Sequence, residues 1–115
     1  MSIYSLRLYN KQQGSNLSIG DFERVTDSIH RIRVEAKLNT YYTIYPTDKK
    51  TRFFNLNSDE TLSVFVNNPN WVCLNSTTTE KGLLPYFILP AETVEYVYVC
   101  IGKNIKHCME LLSNL

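Results

Sequence analysis

The sequence predicts a mainly β protein of the α+β class. The expected architecture is a small β-barrel or sandwich with an N-terminal strand and helix and a C-terminal strand and helix. Three observations point there. Short stretches of alternating apolar residues recur with turn signals between them. The chain holds eight tyrosines and eleven asparagines but two alanines, a usage that suits strands and turns rather than a helical bundle. Helical apolar spacing is confined to one segment near each end.

The elements follow in order. Residues 3–9, "IYSLRLY", alternate with Tyr4, Leu6 and Leu8 on one face, a half-buried strand. Residues 10–18 are a polar loop. Phe22, Val25, Ile29 and Ile32 then recur at helical spacing behind Ser18 and Asp21, which predicts a short amphipathic helix from about Gly20 to His30. From Ile32 the period becomes two through Val34, Ala36 and Leu38. Residues 39–51 form a long excursion tipped by Pro46-Thr47-Asp48. Phe54 and Leu56 alternate on the return, a turn falls at Asn57-Ser58-Asp59, and Leu62, Val64 and Val66 alternate again. "NNPN" at 67–70 is a turn, "WVCLN" a strand, and "LLPYFIL" a further strand or a bent end. "TVEYVYVCI" at 93–101 is apolar on both faces after Glu95 and should be central. Ile105, Cys108, Met109, Leu112 and Leu115 mark a C-terminal amphipathic helix capped by Asn104. With no linker or repeat, residues 1–115 read as one domain with a core over 32–90 and flanks at 1–31 and 91–115.

Charge and cysteine usage exclude some classes. A net charge of +1 supplies no global field for nucleic acid. The start of the chain lacks the pattern of a secretory signal and no apolar run spans a bilayer, so the expected compartment is the cytoplasm. Three cysteines without a Cys-x-x-Cys pair make a disulfide framework the wrong expectation. Two histidines without ligand spacing imply no metal, and the four scattered glycines imply no phosphate-cradling loop, so no cofactor is expected. His107 and Cys108 are adjacent on a helix and point about 100° apart, which is poor geometry for a thiolate–imidazole pair. Cys108 reads instead as a small buried hydrophobe.

Residues 32–90 resemble SH3 domains in the order of their parts. Val34 and Ala36 match the first core strand, 39–52 the long loop, Phe54 and Leu56 its return, and Asn57 to Glu60 the diverging turn. Leu62, Val64 and Val66 match the next strand, Trp71 falls at the family's binding tryptophan, and "GLLPYFIL" matches the Gly-x-x-Pro segment. The resemblance covers about half of the chain. It implies a small barrel that binds proline-rich segments in an aromatic groove. The groove itself departs from the family. Leu38 and Thr40 stand where its first two tyrosines belong, and Ile88 replaces the last. Trp71 and Pro85 remain, with Tyr41, Tyr42 and Tyr45 as candidates to rebuild a groove. The preceding helix and longer loop resemble the helically extended SH3 domains of lymphocyte adhesion adaptors, some of which are proposed to bind acidic lipid.

The expected function is therefore a non-enzymatic protein–protein interaction module with an altered or lost proline-rich-peptide groove. Its contact residues would be Trp71, Tyr41, Tyr42, Tyr45, Pro85 and Tyr86. Trp71 carries an equal second reading, as a core anchor of the barrel. Lys49, Lys50 and Arg52 are candidates for an acidic partner or lipid, although three charges are fewer than polybasic membrane binding needs. The partner is a protein, either a peptide segment or a folded target. A small viral or mobile-element inhibitor of a folded host protein is the alternative, and a small hydrolase or transferase the third. The strand at 93–101 can pair inside the barrel, extend a second sheet or form the edge of a homodimer.

Overall fold

The computed structural model describes residues 4–10, 15–35, 40–46, 58–77, 87–90 and 93–115. They are mostly β and end in one short helix. The strands are β1 (Tyr4–Asn10), β2 (Ser15–Asp21), β3 (Glu23–Arg24), β4 (Ile29–Arg33), β5 (Tyr41–Pro46), β6 (Thr61–Asn67), β7 (Trp71–Thr77), β8 (Phe87–Ile88) and β9 (Tyr96–Gly102). The helix is α1 (Ile105–Ser113). All strand pairs are antiparallel and lie in two sheets, ordered β2-β1-β5-β8 and β3-β4-β9-β6-β7. Among the described residues the sheets do not close into a barrel.

Strict alternation explains why the second sheet holds two cores. Leu62, Val64 and Val66 of β6 and Val97 and Val99 of β9 turn inward and meet Tyr42, Ile44 and Phe87 of the first sheet. Each fully buried aliphatic side chain contributes about 1.5–3 kcal/mol before the cost of ordering it. Phe65 of β6 and Cys100 of β9, at the alternate positions, turn the other way and pack under α1 against Cys108 and Leu112. The molecule is thus layered as sheet, sheet and helix. Among the described residues no helix is long and apolar enough to cross a membrane.

The helix expected over Gly20–His30 is not formed. Gly20 and Asp21 end β2, Glu23 and Arg24 make β3, and Ile29 opens β4. The helical spacing misled because its apolar residues do not share a face: Phe22 and Ile32 enter the core between the sheets, whereas Val25 and Ile29 pack under α1. Thr26, Asp27 and Ser28 form a tight turn, with Val25 N–H and Thr26 N–H donating to the Ile29 carbonyl at 2.9 and 3.0 Å. Two expected loops also prove to be strands in part. Residues 15–18 lie in β2, and Tyr41–Pro46 is β5, paired with both β1 and β8. Tyr42 and Ile44 carry the period-two signal in β5, and both face the core.

The C-terminal elements match their expected form. β9 is central, between β4 and β6. Asn104 caps α1 by accepting from the His107 N–H at 2.8 Å, and His107 Nδ1 accepts from the Lys103 N–H at 3.0 Å. Gly102 lets the helix return tightly onto the strand it follows. A Cβ at Gly102 would stand 2.9 Å from Cys108 Sγ and 3.0 Å from His107 Nδ1.

Candidate functional site: an aromatic–arginine face on the second sheet

β9 alternates Tyr96, Tyr98 and Cys100 on the outer face with Val97 and Val99 on the inner. Strand register aligns the outer residues in rows. One row runs Glu23, Arg31, Tyr98, Phe65, Cys73 across β3, β4, β9, β6 and β7. The next aligns Ile29 with Cys100 and Ser63, under α1. On the other side Arg33 is registered with Tyr96, and Asn67 with Trp71. The helix therefore covers one half of this face and leaves the aromatic half partly open.

That half is organised by ring contacts. Trp71 meets Tyr98 edge-to-face, with centroids 4.9 Å apart at 84°. Tyr98 meets Tyr96 at 5.9 Å and 60°. The Arg31 guanidinium lies 4.6 Å above the Tyr96 ring. Its Nε donates to Glu23, an interaction that pushes the Arg31 pKa further up, with Tyr98 adding to it. Such aromatic pairs contribute about 0.5–1.5 kcal/mol beyond area burial. The ion pair is solvent-exposed and adds little to stability, so its main effect is to hold the guanidinium in place.

The residues singled out in the sequence fare differently. Trp71 is half-buried, packing against the core under α1 while edging onto Tyr98. It is partly anchor and partly surface. Tyr42 is corrected: it is 1% exposed and stacks on Phe87 at 6.1 Å, so it is a core ring and no contact residue in this fold. Its inward direction follows from the alternation that also buries Ile44. Tyr41 is half-buried on β5, in the other sheet from Trp71. The Tyr45 backbone lies in β5, but its side chain is outside the described residues. Lys49, Lys50, Arg52, Pro85 and Tyr86 also lie outside them.

Sequence reasoning missed Tyr96, Tyr98 and Arg31. Their signal was present: tyrosines two apart in "EYVYV", and arginines alternating with Ile32 and Val34 in "RIRV". Counting tyrosine simply as apolar made 96–99 look buried on both faces.

Two further titratable groups of this sheet, His30 and Cys73, are displaced from their ordinary values. His30 aligns with Val99 on β9, and burial, then Arg24, lowers its pKa. Burial pushes the Cys73 thiol up, and that thiol donates to the Asn75 carbonyl at 3.6 Å. Cys108 is fully buried, and His107 Nδ1 is engaged by the Lys103 N–H, so the two do not form a nucleophile–base pair. Among the described residues no three His, Cys, Asp or Glu side chains gather as a metal site.

Compared with protein-family models, with curated proteins and with solved structures, the chain finds no match.

Proposed function

We propose that the protein is a non-enzymatic protein–protein interaction module. Its contact surface is the aromatic–arginine face of the second sheet, formed by Trp71, Tyr98, Tyr96 and Arg31. The observation that carries this reading is the continuous contact chain from Trp71 through Tyr98 and Tyr96 to Arg31. Trp, Tyr and Arg dominate the energetics of protein interfaces, and rings already fixed by neighbours lose little freedom on binding. The SH3 groove does not enter this reading, because Tyr41 and Trp71 lie in different sheets. A sheet face offers no slot for an extended peptide, so the partner is a folded protein with a complementary apolar and acidic patch. Exposed Arg33 beside Tyr96 supports the acidic component.

The test is a direct affinity measurement on a purified partner first captured with the wild-type chain. Tyr96→Ala and Arg31→Ala should each weaken binding roughly tenfold or more, as interface hot spots do. Ile88→Ser on the first sheet should leave it unchanged. Wild-type affinity in both face variants, with circular dichroism unaltered, would remove the proposal. Competition by short peptides would show a segment rather than a folded surface as the ligand.

A further inference from the structure

The layer between the second sheet and α1 contains a feature that the binding face does not use. Cys100 on β9 and Cys108 on α1 are both fully buried and both free. Their contact is reciprocal: Cys100 Sγ lies 3.8 Å from the Cys108 carbonyl oxygen, and Cys108 Sγ lies 3.7 Å from that of Cys100. Each thiol therefore reaches across to the other residue's backbone. Gly102 brings them together, since any side chain there would collide with Cys108 Sγ.

We propose that Cys100 and Cys108 are an oxidisable pair that closes into a reversible disulfide within the folded protein, tying α1 to β9. Disulfides require facing stems and close Cα atoms, a requirement that reciprocal sulfur-to-carbonyl contacts suit. The two thiols also differ in acidity. The hydrogen bond with Cys108, together with burial, raises the Cys100 pKa; the same bond lowers that of Cys108 against the opposing effect of burial, with the Ser63 hydroxyl helping. The reciprocal contacts place either thiol to attack first and the other to resolve.

The oxidant is a small-molecule disulfide such as oxidised glutathione, RSSR. With Cys108 reacting first, its thiol gives its proton to solvent and the thiolate attacks one sulfur of RSSR, forming a mixed disulfide and releasing RS⁻; the same steps run with the two cysteines exchanged. That RS⁻ takes the Cys100 proton. The Cys100 thiolate then attacks Cys108 Sγ, the protein disulfide forms, and a second RS⁻ leaves and is protonated by solvent. Two protein thiols are oxidised and one RSSR is reduced to two RSH. Access comes from local opening of α1. A nine-residue helix does not hold by itself, and here two buried residues, Cys108 and Leu112, fasten it.

Cys73 belongs to the same core but is separated from β9 by β6, and its thiol is committed to the Asn75 carbonyl. Cys108 also faces Cys73 in this core, but the reciprocal sulfur-to-carbonyl contacts join Cys100 and Cys108, and the proposed pairing is between these two. The experiment incubates the reduced, folded chain with oxidised glutathione, then denatures it, alkylates it and maps it by mass spectrometry without reduction. The expected product joins the Cys100 and Cys108 peptides and leaves Cys73 alkylated. It should reverse with dithiothreitol, survive in Cys73→Ser and vanish in Cys100→Ser. Its unfolding midpoint should rise by roughly 5 °C or more. Recovery of Cys100 and Cys108 as thiols or glutathione adducts would overturn the proposal. So would a bridge through Cys73, or cross-linking seen only in denaturant.

Discussion

The two faces of the second sheet are made by the same strands and behave as different materials. The inner face presents Leu62, Val64, Val66, Val97 and Val99, all buried against the first sheet. The outer face presents Phe65, Cys100, Tyr98, Tyr96 and Trp71, half under a helix and half open. Branched aliphatic side chains fill the space between two sheets with no polar group to satisfy. Aromatic rings with polar tips can bury one edge and leave the other wet. The inner face is thus committed to stability, whereas the outer face is divided between anchoring α1 and a partly open aromatic half, the proposed contact surface.

Four changes sharpen or break that comparison. The largest concerns Phe65, the fully buried ring that supports the outer core from β6. Phe65→Ala should cost about 3–5 kcal/mol in chemical denaturation. Loss of α1 protection in hydrogen exchange should accompany it, and retained protection would show that the helix does not depend on the outer core. Next is Gly102→Ala, whose added methyl meets Cys108 Sγ at 2.9 Å. A cost of about 1–3 kcal/mol is expected, as for other overpacked sites. Hydrogen exchange should place the loosening in α1 rather than in the β1–β5 pairing.

Smaller still is Asn104→Ala, which removes the cap on the His107 N–H. It should lower stability by about 1 kcal/mol in thermal unfolding. An unchanged midpoint would mean that sheet packing alone fixes the helix. The smallest effect is the pH response of His30. Its folded pKa is depressed, so the folded state resists protonation that the unfolded chain accepts near pH 6.5. The associated stability is complete above that value and lost as pH falls from there toward the folded pKa. The slope of the unfolding midpoint over that interval should flatten in His30→Gln. An identical slope would assign the dependence to other groups.

Much of the second sheet and its helix was legible in the sequence. Leu62, Val64 and Val66 alternate without interruption, Asn67–Asn70 is turn chemistry, and Asn104 stands one residue before the helix. In these segments local pattern and tertiary environment agree. The segment 20–30 was illegible for a specific reason. A helical period assumes a single buried face, and here the apolar residues serve two cores on opposite sides of a sheet. β5 was hidden differently: "YYTIY" alternates, yet its tyrosines and the following Pro46 resembled a loop. The open aromatic half of the outer face was invisible because sequence does not show where a helix stops covering a sheet. Trp71 alone stood out, being the one tryptophan, and Tyr98, Tyr96 and Arg31 are joined to it by ring contacts across the sheet rather than by chain proximity.

That single tryptophan also supplies the most direct test of the proposed contact face. The measurement is the Trp71 indole N–H resonance of ¹⁵N-labelled protein during titration with its unlabelled, captured partner. The account predicts that this resonance shifts or broadens saturably, following the same binding curve as the backbone amides. A titration that saturates the backbone signals while the indole stays still would contradict it and move the contact surface away from the second sheet.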